Sequence, residues 1–208
     1  MLASAPQAKR TFRPKPDKLR TMDKPEANEY HPNYQKYFDL VPVGNYLELL
    51  RRNETETVTF FESIGAEHHD YRYERTKWSV KEVLMHIIDT ERVFACRALA
   101  AARGDVETPF YRMDEELYAR HVDVSDRTMV DLISEFKVVR RTSEYLFENI
   151  TDEQSKQWCN VVTHPMTARA IGYFLVGHVQ HHIGVVKDRY LFQSLKKVKS
   201  QQNGGSEI

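Results

Sequence analysis

Four long stretches of this chain repeat their apolar residues at the spacing of an α-helix, and no stretch shows a convincing strand-like alternation. Over 43–64 the repeat runs through Tyr46, Leu47, Leu49, Leu50, Val58, Phe60 and Phe61 without an internal proline. The second stretch opens on Ser79-Val80-Lys81-Glu82, a capping box in which the Ser79 hydroxyl accepts from the Glu82 amide and the Glu82 carboxylate reaches back. It runs to 103, where Gly104 supplies a stop. The third spans 127–149 through Met129, Leu132, Ile133, Phe136, Val139, Tyr145 and Leu146. The fourth follows Pro165, takes Thr167 as its cap and extends to about Phe192. An amphipathic helix must bury its stripe against something, and four helices of similar length do so most simply in an all-α four-helix bundle. The connection 105–126 holds Pro109 and room for a short helix at 114–119, and a further turn fits 152–157. A joint this long between the second and third helices implies a crossover, since an antiparallel hairpin needs far less chain.

With 208 residues, one core is the default. No run approaches the roughly 20 apolar residues of a membrane span, and the N-terminus lacks the apolar segment of a secretory signal. A cytoplasmic protein is therefore expected. Under that expectation the glycosylation patterns at Asn53-Glu54-Thr55 and Asn149-Ile150-Thr151 are chance matches. Cys96 and Cys159 are too few for a disulfide framework, form no Cys-x-x-Cys pair, and read as buried small hydrophobes. Residues 1–21 carry Lys9, Arg10, Arg13, Lys15, Lys18 and Arg20 against Asp17 alone, with three prolines and almost nothing apolar. Such a segment cannot offset its ordering entropy, so 1–28 is expected to be a disordered basic extension, 29–192 the bundle and 193–208 a flexible tail. Met22 is an alternative natural start. A basic tail is also the one feature that favours nucleic acid, and the rest of the chain is not basic enough to support it.

Histidine spacing is the strongest chemical signal. His178 and His182 sit one turn apart on one face of the fourth helix, about 40° from each other, within the stripe of Ile171, Leu175, Val179 and Val186. His181 lies about 60° to the other side and is the weaker ligand candidate. His86, about two turns into the second helix, is the natural third ligand, although it lies on the flank of the stripe through Val80, Leu84 and Ile87. Histidines on an apolar face are more often hydrogen-bonded core residues than ligands, and the glutamate of a His-Glu-x-x-His protease helix is missing. Glu91 falls in the middle of an apolar stripe and must find a cation, a donor or the surroundings of a metal. Trp78 and Tyr190 fit either a substrate mouth or ordinary packing.

The run KWSVKEVLMHIIDTER at 77–92, with Gly177-His178-Val179-Gln180-His181-His182 and Asp188-Arg189-Tyr190-Leu191 far downstream, resembles the DinB-like superfamily, the DinB and bacillithiol-transferase-like metal-binding bundles. The resemblance spans roughly 29–191. It implies an up-down-down-up four-helix bundle in which His86, His178 and His182 bind one divalent metal, commonly zinc or nickel, and it implies a homodimer. It further implies a metal-dependent hydrolase or thiol-dependent transferase acting on a small molecule. Imidazoles that hold a metal need acceptors to fix their tautomers, and Asp89, Glu91 or backbone carbonyls are the candidates. The alternative is a non-catalytic, metal-binding, dimeric stress-response module. A fold family does not fix a substrate.

Overall fold

The computed structural model describes residues 22–191. The basic segment 1–21, Phe192 and the expected tail lie outside them. From the start of the described chain a strap runs to 42, carrying two 3-10 turns and then the single-turn helix α1 (Gln35–Phe38). Residues 22–28, expected to belong to a disordered extension, lie against the bundle instead. Met22 is buried and its carbonyl accepts from the Tyr173 hydroxyl at 2.9 Å. Glu29 clamps the same strap by accepting from the Thr167 hydroxyl and Arg169 Nε at 2.8 and 2.7 Å.

Helix α2 (Tyr46–Glu62) begins at Asn45, whose side chain accepts from the Leu47 and Glu48 amides. Helix α3 (Val80–Ala102) carries the Ser79–Glu82 capping box, with Glu82 accepting from the Ser79 amide at 2.6 Å, and Gly104 follows its end with φ of 75°. A short α4 (Glu115–His121) interrupts the crossover. Thr128 caps α5 (Met129–Glu148), Thr151 caps the single turn α6 (Asp152–Ser155), and Thr167 caps α7 (Ala168–Val185). The last helix passes at Val186 into a π-helical stretch over Val186–Leu191, so helical backbone reaches the last described residue and the expected end near Phe192 lies just outside. Two-residue strands, β1 (Trp158–Cys159) and β2 (Met166–Thr167), pair antiparallel ahead of α7; they are too short to leave an alternation in the sequence.

Helices α2, α3, α5 and α7 form the bundle. Pairings along their lengths fix their directions. Arg92 meets Glu135 and Lys81 meets the Arg127 carbonyl, so α3 and α5 run parallel. Phe94 stacks on Phe174 while His86 meets His178, so α3 and α7 run antiparallel. Arg51 meets Glu148 and Asn53 meets Arg140, so α2 and α5 also run antiparallel, whereas Tyr46 meets Tyr173 and Glu56 meets Gln180, making α2 and α7 parallel. The result is the up-down-down-up bundle, with the expected crossover joining parallel α3 and α5. Among the described residues no helix is long and apolar enough to cross a membrane.

Two buried apolar clusters fill the bundle, one around Phe38, Tyr46 and Phe174 and the other around Phe61, Leu84 and Phe136. The expectation for the cysteines holds only for Cys159. Cys96 is exposed, because it sits on the outer face of α3 between Arg92 and Leu99, away from both α5 and α7.

Candidate metal centre

Helix α3 packs against α5 on one side and α7 on the other, so it buries two faces rather than one stripe. That is why His86, on the flank of the stripe, is only 6% exposed. Its Nε2 lies 3.1 Å from Nε2 of His178, and His182 Nε2 lies 3.1 Å from the same atom. The three ligand nitrogens all fall within 4.8 Å of one another. His178 is buried and His182 partly exposed. The structure thus brings together all three histidines singled out by sequence, and leaves His181 at the edge, its ring 5.1 Å from that of His182.

Burial sets the charge state. It holds the pKa of His86 at about 4, with the nearby His181 adding to the depression. His178 and His182 are pushed well below the ordinary imidazole value, first by burial and then by the surrounding imidazoles. All three rings are therefore neutral at neutral pH, the form that offers a lone pair to a cation.

This donor set fits a divalent ion. Metal–imidazole bonds of about 2.0–2.1 Å place neighbouring nitrogens about 3.0–3.4 Å apart in octahedral to tetrahedral arrangements, and the observed 3.1 Å lies in that interval. Three converging nitrogens offer at most three of four tetrahedral positions, the count of a reactive site rather than a closed structural one.

The surroundings orient the rings. Trp78 packs on His86 with ring centroids 4.7 Å apart, and Tyr190 donates its hydroxyl to the Trp78 carbonyl at 2.8 Å. These aromatics are packing residues against His86. On the other side α1 crosses α7 at Gly177, where an added Cβ would fall 2.1 Å from the Tyr37 carbonyl oxygen. This close approach lets the Tyr37 ring reach His178 and His181, at 5.6 and 5.2 Å. Phe174, one turn before His178, covers that ring at 5.2 Å.

The acidic residues expected to orient the imidazoles have other partners. Glu91 makes a buried two-pronged pair with Arg140, Nε to Oε1 at 2.8 Å and Nη2 to Oε2 at 2.8 Å, and Asp89 pairs with Arg92. Arg140 Nη1 also donates to Asn53 Oδ1 and the Leu50 carbonyl, so the buried Asn53 is enclosed in this network and the sugar-attachment pattern there is a chance match. Sequence reading missed Tyr37 entirely. Phe174 carried a signal, its i, i+4 spacing to His178; α1 carried none, being one turn long.

A helical bundle that gathers three neutral imidazoles from two helices belongs to the class of proteins able to hold a divalent metal with coordination positions to spare. The DinB superfamily model matches residues 49–186, more than half of the sequence, and the chain belongs to that superfamily. Among solved structures it is similar to YfiT from Bacillus subtilis, described as a probable metal-dependent hydrolase with an unusual four-helix bundle topology. That similarity has a TM-score of 0.59 at 18% identity, over 69% of this chain and 82% of YfiT. It is also similar to the DinB-like protein YjoA from Bacillus subtilis, with a TM-score of 0.48 at 19% identity, over 78% of this chain and 94% of the other. No curated protein sequence matches significantly.

Proposed function

We propose that the chain is a metal-dependent hydrolase of small molecules that uses one divalent ion, zinc or nickel, at His86, His178 and His182. The observation that carries this reading is the meeting of three neutral imidazole nitrogens within 4.8 Å of one another, His86 and His182 each 3.1 Å from the buried His178. YfiT's description as a probable metal-dependent hydrolase supports it. A divalent ion in such a site supplies Lewis acidity and brings the pKa of a bound water toward neutrality.

The chain's own residues supply position and proton acceptance. Trp78 and Phe174 fix the rings of His86 and His178 by packing. His181 is held below the usual imidazole pKa by burial and by Lys36, so it is uncharged at neutral pH and can accept a proton at the edge of the triad. Burial raises the Tyr37 hydroxyl to about 12, which keeps that neighbour protonated and able to donate a hydrogen bond to a substrate oxygen.

The test is metal content and turnover on one set of samples. Protein purified without added metal should carry close to one divalent ion per chain and hydrolyse members of an activated ester and amide panel. His178→Ala and His182→Ala should each weaken metal binding by more than about 100-fold and abolish turnover. Stoichiometric metal in those variants would overturn the ligand set. Turnover that appears only when a thiol is supplied would move the reaction class to thiol-dependent transfer.

A further inference from the structure

A cavity of about 130 Å³ lies beside the histidine triad and shares its walls. Tyr37 and Phe174, whose rings lie 5.6 and 5.2 Å from His178, line it together with Tyr34 and Phe94. Thr90, one turn beyond His86 on α3, lines it as well. The four aromatic rings pack on one another, Tyr34 to Phe174 at 5.2 Å and Phe94 to Phe174 at 4.4 Å, so they form one apolar wall of the cavity, and Asn33, Thr90 and His164 add polar lining. Its volume is close to that of a cavity of about 150 Å³ that admits one benzene ring.

Charge is confined to the mouth. Lys36 and Arg112 line it as exposed side chains. Glu115 is the opposing carboxylate; burial raises its pKa, and the pull of Arg112 and Lys36 in the other direction shows that all three share one electrostatic neighbourhood. Neighbouring Asp114 is turned to the Leu117 amide, and Glu116 is outside the lining. Behind the Phe94 wall lies a third cation. Arg97 is only 4% exposed, stacks on Phe94 at 4.5 Å, donates to the Tyr111 carbonyl at 2.7 Å, and leaves its Nε without a partner. Among the described residues no carboxylate pairs with it.

We propose that this slot is the substrate subsite, and that it takes a small organic anion with a single apolar ring seated against the wall of Tyr34, Tyr37, Phe94 and Phe174 and a carboxylate or phosphate held at the mouth by Lys36 and Arg112. The inference rests on the metal-site reading for what happens to the ligand once bound. Recognition itself depends on the slot and its cations, and the two separate in the experiment.

Benzoate, phenyl phosphate and the neutral isostere benzamide are titrated into the full-length protein, metal-loaded and chelator-treated, by ligand-observed NMR, with metal content measured on each sample. At least one anion should bind tenfold or more tightly than benzamide, by an electrostatic margin of about 1.4 kcal/mol. The tighter anion identifies the head group. Lys36→Gln combined with Arg112→Gln, both exposed sites, should erase the preference while leaving metal content unchanged. Glu115→Gln should strengthen anion binding by about threefold. Persistence of the preference after chelation assigns it to the side chains. Equal binding of benzamide and both anions, loss of the preference on chelation alone, or an unaltered preference in the double variant would each overturn the subsite. Binding of the anion by protein that never holds metal would instead sink the metal reading and leave the subsite standing.

Discussion

The bundle buries two polar clusters, and they are finished differently. Around Arg140 each guanidinium nitrogen is met from within: Glu91 takes Nε and Nη2, Asn53 and the Leu50 carbonyl take Nη1, and three helices are tied at one point, with Asn53 Nδ2 the buried atom there left without a partner. At His86, His178 and His182 the ring nitrogens that meet have, among the described residues, only one another for polar neighbours, His86 and His182 each lying 3.1 Å from His178. A closed network serves the fold, whereas an open set of donors is complete only with a guest.

Breaking the closed network should give the largest stability effect. Glu91→Ala leaves a fully buried guanidinium without its anion and should lower the unfolding free energy by about 3–5 kcal/mol in urea titrations. Glu91→Leu combined with Arg140→Met should restore most of it. A loss under 1 kcal/mol in the single variant would remove the distinction between the clusters.

Acid should act on the open cluster first. His86 has a lower pKa folded, about 4, than the ordinary 6.5, so the unfolded chain binds more protons between those values and stability falls as pH falls through that window. In chelator-treated protein His86 alone should account for roughly 3 kcal/mol between pH 6.5 and 4. His178 and His182, depressed further, extend the loss to lower pH. A flat urea midpoint across that range contradicts the assigned burial. Metal release measured in parallel should begin only near and below about pH 4, where the folded His86 takes up a proton and competes with the ion for the same nitrogen.

Gly177→Ala tests how the open cluster is walled. The new methyl meets the Tyr37 carbonyl and must displace α1, costing about 1–3 kcal/mol. It should also change the environment of the His178 and His181 rings in NMR spectra while leaving Arg140 untouched. The smallest effect is expected for Tyr190→Phe, which removes the hydroxyl bond to the Trp78 carbonyl and should cost about 1 kcal/mol in thermal unfolding. Because Trp78 lies on His86, metal affinity should drop modestly alongside. Unchanged affinity would mean that Trp78 does not position the ligand.

Much of this contrast was legible in the sequence, for reasons that also explain what was not. Helical period and caps at Ser79, Thr167 and Gly104 locate α3 and α7, and the i, i+4 spacing of His178 and His182 survives into three dimensions because a helix is rigid. Glu91 in an apolar stripe announced a buried partner, but Arg140 lay 49 residues away on a helix whose contact with α3 depends on the crossover. The strap at 22–42 was invisible. It has no period long enough to read, and its order comes from tertiary clamps such as Glu29 on Arg169 and Tyr173 on Met22. Cys96 misled because composition ranks cysteine as buried without saying which face of α3 it takes.

His86 and His178 stand 92 positions apart along the chain, on antiparallel helices. Any bridge between them closes a ring of that size, as a disulfide would, and withdraws configurational freedom from the unfolded ensemble. A guest held there would act as a reversible staple between early and late portions of the polypeptide. Heat resistance of the whole molecule would then track the concentration of free ion, and the seam between α3 and α7 would be the first to part when that ion is withdrawn.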